Sequence, residues 1–167
     1  QANLFTHVSY LDREIDHHGS YHDHSTHTDH KGDGFLDVPK NRQFNILNRW
    51  KYVGDNFRSQ IYIKGLTEDR DAGQMSYLPE PRYIVGIYND LLELSTKAGY
   101  VFNNQKNQSF GLQTIFRTHK QKTQFGVKKY DSHQNRMYFS LIGGSDLWNK
   151  NHTVKGGFSF NADRFEN

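Results

Sequence analysis

Six of the ten histidines fall within residues 16–37: His17, His18, His22, His24, His27 and His30. They are interleaved with Asp16, Asp23, Asp29, Asp33 and Asp37. Neutral imidazole is a ligand that suits zinc, copper and nickel alike. The stretch reads DHHGSYHDHSTHTDHKGDGFLD and has almost nothing to bury, so it is predicted to be a surface loop. Three or four of its imidazoles, with Asp23 or Asp29 completing the shell, would hold Zn²⁺ or Cu²⁺. A catalytic metal centre is the weaker reading, because it needs a fixed shell supported from behind. The last nine residues, DHKGDGFLD, carry a second cue. Asp29, Asp33, Gly34 and Asp37 echo part of the alternating-oxygen pattern of calcium loops. Lys31 stands where Asp or Asn belongs, which makes calcium the lesser reading. Nothing in the chain requires a cofactor.

The segments that must carry this loop alternate with period two. Residues 2–11, 41–53, 57–66, 82–102, 109–118, 135–143 and 152–161 each read as a strand. In the second, Phe44, Ile46, Trp50 and Tyr52 share one face and Asn45, Arg49 and Lys51 the other. In the third, Phe57, Ile61, Ile63 and Gly65 oppose Arg58, Gln60, Tyr62 and Lys64. The fourth is long enough to predict a bulge or bend near Asn89 and Asp90, and only 91–98 could compete as a helix. Connections alternate between long (near 12–40, 67–81 and 118–134) and short (54–56, 103–108 and 145–151). The chain is thus expected to be all-β, an antiparallel, up-and-down transmembrane β-barrel segment of about seven strands, with long external loops. An odd count implies a piece of a larger barrel, since closed bacterial barrels have even numbers and return to the periplasmic side.

Composition fits this frame. The chain has 167 residues, of which 34% are hydrophobic and 14% aromatic, with 14 glycines. Disordered chains are poor in aromatics. No apolar run approaches the ~20 residues of a membrane helix, but barrel strands never produce one. There is no cysteine, hence neither a disulfide framework nor a thiolate metal site. A net charge of +3 with scattered basic residues speaks against a nucleic-acid partner. Trp50, Tyr52, Tyr100, Phe102 and Trp148 are expected at membrane interfaces, where amphipathic rings settle. Lys120, Lys122, Lys128 and Lys129, in the basic stretch 118–134, would attract lipopolysaccharide phosphates or an anionic substrate. Catalysis finds no support: there is no nucleophile elbow, HExxH or phosphate-cradling glycine loop. The acids Glu68, Asp69 and Asp71 lie in a polar stretch without signs of burial. The chain is not expected to be an enzyme.

Several segments, in this order, resemble the barrel of TonB-dependent outer-membrane receptors of the Bacteroidetes type. They are GDGFLDVPKNRQFNILNRWKY, GLTEDRDAGQ, ELSTKAGYVF, KKYDSHQNRMYFSLI and NHTVKGGFSFNADRFE. The resemblance spans nearly the whole chain and implies part of a 22-stranded barrel in the bacterial outer membrane. It implies transport of a scarce nutrient, such as a metal ion, metal chelate, haem or cobalamin. The partners it implies are the rest of the barrel, its plug, the TonB complex acting through that plug, outer-membrane lipid and a surface lipoprotein. The family-like loop would carry an acidic run before Phe35, which Lys31 interrupts. The rival expectation is a soluble or periplasmic all-β, His-rich module that binds metal without transporting it.

Overall fold

A computed structural model describes residues 1–13, 39–74, 81, 83–103, 108–148 and 151–167. Seven strands form one sheet: β1 (Ala2–Arg13), β2 (Lys40–Val53), β3 (Phe57–Gly73), β4 (Ile84–Asn103), β5 (Gln108–Phe125), β6 (Lys128–Asp146) and β7 (Thr153–Glu166). Their spatial order is their sequence order, every neighbouring pair is antiparallel, and no described residue is helical. The predicted all-β, up-and-down arrangement is therefore what the chain adopts. The sheet is open, with β1 and β7 at its two edges.

Registers are continuous through the middle of the sheet, so residue type alternates in step across all seven strands there. One row runs Thr6, Asn48, Ile63, Leu94, Phe116, Met137 and Ala162. One residue over, on the opposite face, the row reads His7, Leu47, Lys64, Glu93, Arg117, Arg136 and Asp163. The face assignments made from sequence for the second and third strands hold. The bulge expected near Asn89 and Asp90 does not: pairing runs unbroken there, and the β4–β5 register slips instead between Val101 and Asn103.

The strands outrun their expected limits at one end of the sheet, and the long basic connection near 118–134 is absent. β5 continues to Phe125 and β6 starts at Lys128, leaving a two-residue hairpin at Gly126 and Val127. Gly126 has φ 58°, the left-handed value that a primed hairpin turn requires of its first central residue. A Cβ there would also stand 2.9 Å from the Tyr83 ring, so both backbone and neighbour call for glycine. Gly126 N donates to Ile84 O at 2.7 Å, and Gln124 Nε2 donates to Gly126 O at 2.9 Å, tying the hairpin to β4 and to its own strand. β3 likewise runs through 67–73 of the expected 67–81 loop, and Gln74 pairs with Tyr83 beside it. β1 and β2 border the 12–40 connection, whose residues 14–38 lie outside the described ones.

Each strand packs only on its sequence neighbours, so there is no second layer among the described residues. No described hydrophobic residue is buried; the buried side chains are Glu68, Ser140 and Asp146, all polar. A water-soluble domain buries an apolar face against another layer. This sheet leaves its apolar face open.

Candidate functional site

The face carrying Leu4, Val8, Ile46, Trp50, Ile61, Ile63, Leu92, Leu94, Phe116 and Phe158 is an exposed apolar band. Its extent along the strands is 44–52 in β2 and 57–65 in β3, near the ~9–11 residues that a tilted strand needs to cross a bilayer. Two pairs of polar residues within it bond to each other across neighbouring strands. Asn48 Nδ2 donates to Thr6 Oγ1 at 2.7 Å, and Thr96 and Thr114 share a hydrogen bond of 2.7 Å.

Aromatic rings mark the short-turn end. Tyr100 meets Phe102 edge-on at 5.0 Å, Phe102 stacks on Phe110 at 5.5 Å, and Tyr52 lies 6.1 Å from Phe57. Trp50 and Tyr52 belong to the same end. Trp148, 92% exposed, follows β6 at that end too. The five aromatics singled out from sequence thus gather at one end of the sheet. At the opposite end, sequence reasoning does not single out Tyr10 and Phe44, neighbours in register, which border the band on β1 and β2. Tyr10 donates its hydroxyl proton to Asp12 at 2.8 Å, joining the last ring of the band to the first carboxylate beyond it.

Beyond that border the same face turns charged within one or two residues. It carries Arg42, Asp69, Asp90, Lys120, Lys122 and Asp131 in adjoining registers. Asp71 lies here, and burial, then the neighbouring Asp69, raises its pKa above the ordinary value. Of the four lysines singled out from sequence, Lys120, Lys122 and Lys129 occupy this face and Lys128 the other. All four sit on paired strands, not on a loop.

The opposite face carries polar or charged residues at every level of the apolar band, interspersed with Leu47, Leu91 and Ile115. Arg117 donates through Nε to Glu93 Oε2 at 2.6 Å and forms an ion pair with it. Gln134 Nε2 donates to both oxygens of Asp163, at 3.0 and 2.9 Å. Ser140 and Ser159 share a 2.9 Å hydrogen bond, and the Arg49 guanidinium lies 5.3 Å from the Phe5 ring centroid. Nearer the long-connection end, the Glu68 carboxylate accepts from Arg70 Nε at 2.7 Å and Asn89 Nδ2 at 3.0 Å. In β4, Leu91, Glu93 and Ser95 are half-covered where Leu92 and Leu94 are exposed, so the polar face is the more sheltered one.

The metal candidates His17, His18, His22, His24, His27, His30, Asp23, Asp29, Asp33 and Asp37 all lie outside the described residues. Among the described residues, no group of three or more His, Asp or Glu side chains could hold a metal ion. No protein-family profile, curated protein or solved structure matches the chain.

Proposed function

We propose that this chain is a section of wall from an outer-membrane transport barrel of the TonB-dependent type, moving a scarce nutrient. The observation that carries the membrane part is the arrangement of the two faces. One face bears an apolar band of bilayer height, with rings at its short-turn end and charge setting in abruptly at the other. The other is charged at the same height, through Lys64, Glu93, Arg117, Arg136 and Asp163. Lipid outside and a wet interior would make that pairing favourable. A soluble sandwich would instead turn the apolar band into a dry core, and no described hydrophobic side chain is buried.

In this reading the strand ends beyond the band stand clear of the membrane, and the short turns face the periplasm. The edges β1 and β7 pair with further strands of the same barrel, because exposed edges of this length otherwise invite aggregation. The transport part rests on the resemblance of the five segments. Cell fractionation tests the reading. The full-length protein is expected in outer membranes, soluble only with detergent and shifted in gel mobility by heating. Recovery as a detergent-free soluble species would overturn it.

A further inference from the structure

On the polar face, at the short-turn end, Gly99 stands directly opposite Gly111 in the β4–β5 register. Glycine inside a strand weakens it, and frequently marks a bend or a place where a ligand approaches the backbone closely. The sheet itself does not ask for glycine at either position. A Cβ on Gly99 would meet Phe110 O at 3.7 Å, and one on Gly111 would meet Ala98 O at 3.8 Å, both ordinary contacts. Neither residue has positive φ. The neighbouring Gly143 makes a contrast: it lies on the apolar face opposite Phe110, a ring that can cover it. No side chain stands at either member of the Gly99–Gly111 pair.

This glycine pair lies in the floor of a cleft of about 580 Å³, where Ile142 of β6, 56% exposed, stands beside Gly111 in the register. Arg58 lines it from β3 and Lys155 from β7. A Cβ on Gly144 would stand 3.4 Å from Lys155 Cγ, so the lysine stem lies against Gly144, its partner in register at the edge of the cleft. Arg58 and Lys155 have no ion pair among the described residues, and Lys97 lies two residues along β4 from Gly99. Asp55, in the β2–β3 turn, is the carboxylate lining the cleft. Two cations with no ion pair among the described residues, a pair of glycines in the floor and a volume within the ~300–1,000 Å³ of ligand sites occur together here.

We infer that this cleft binds a small solute bearing two or more carboxylate or phosphate groups, held over the Gly99–Gly111 pair by Arg58 on one side and Lys155 on the other. The inference deepens the transport reading by naming a cargo class, and it rests on that reading for placing the cleft inside a barrel. Binding itself can be measured separately from localisation. Full-length protein in detergent, its fold checked by heat-shifted gel mobility, is titrated calorimetrically with citrate, pyrophosphate and uncharged maltotriose.

Citrate, pyrophosphate or both should bind, and maltotriose should not; the arm that binds distinguishes carboxylate from phosphate recognition. Arg58→Gln combined with Lys155→Gln should weaken binding at least tenfold, and Gly111→Leu, which fills the floor, should weaken it similarly. If Gly111→Leu fails to fold, the charge variant, which alters only exposed side chains, decides the matter. Failure of both anions to bind, equal binding of maltotriose, or unchanged affinity in the charge variant would each overturn the inference, wherever the protein fractionates.

Discussion

At the scale of single residues, the charged collar beyond the apolar band makes a sharp pH prediction. Asp71 has its pKa raised above 3.8, first by burial and then by Asp69, with Lys40 and Arg42 opposing. A carboxyl whose folded pKa is raised opposes folding when ionised. That penalty is absent below the unfolded value, grows as pH rises, and is complete above the raised value. Asp71→Asn should therefore unfold at higher urea concentration than the parent at pH 7, while near pH 3.5 the two should coincide. An equal difference at both pH values would show that the effect is not ionisation. A second pH prediction concerns the histidines of 16–37. Zn²⁺ or Cu²⁺ bound there should be released as pH falls through about 6.5, because protonated imidazole cannot ligate. Changing all six histidines to Ala should abolish both binding and its pH dependence in a metal titration. A variant that still binds would make the stretch a solvated spacer.

At the scale of elements, alternation decides which face each side chain joins, and a substitution moved by one residue should change its consequence. Leu94 lies mid-band between Ile63 and Phe116, whereas Ser95 lies on the polar face between Tyr62 and Ile115. With lipid against the band, Leu94→Arg should cost roughly 2–4 kcal/mol and Ser95→Arg far less. Urea unfolding of the full-length protein in lipid vesicles measures both, and equal costs would remove the lipid from the argument. The same alternation explains what could be read in advance. Within the band each strand offers apolar and polar residues by turns, so faces, order and direction were legible from residues such as Phe44 to Tyr52. Beyond the band both faces are polar, as in Lys120, Gln121, Lys122, Thr123 and Gln124. There the period vanishes although the ladder hydrogen bonds continue, and paired strand was read as loop. The Gly99–Gly111 floor was equally hidden, because two glycines twelve residues apart become neighbours only through the register.

At the scale of the whole molecule, the question is what replaces a core. The fold is one layer whose apolar residues are exposed, and its contacts run only between consecutive strands. Ladder hydrogen bonds contribute little net stability in water, where the unfolded chain is hydrogen-bonded to solvent. Burial of apolar surface must supply the rest, at about 25 cal/mol per Å², and the sheet alone buries little of it. Detergent or lipid against the band supplies that burial without any change in the chain. The edges compound the problem: β1 carries Leu4, Phe5, Val8, Tyr10 and Leu11 with no lysine or proline to block pairing. The 167-residue chain, diluted from denaturant into plain buffer, should therefore aggregate. Diluted into micelles, it should give a strand-type far-ultraviolet spectrum without helix. Its open edges should still make it associate there, as seen by light scattering after size exclusion. Adding lipid covers the band but not the edges, so the association should persist in vesicles and, if the proposed larger barrel is right, disappear only when its further strands are supplied on the same polypeptide. A folded, monodisperse monomer in detergent-free buffer would mean that the apolar face closes on itself in water, and the membrane would no longer be needed to explain it.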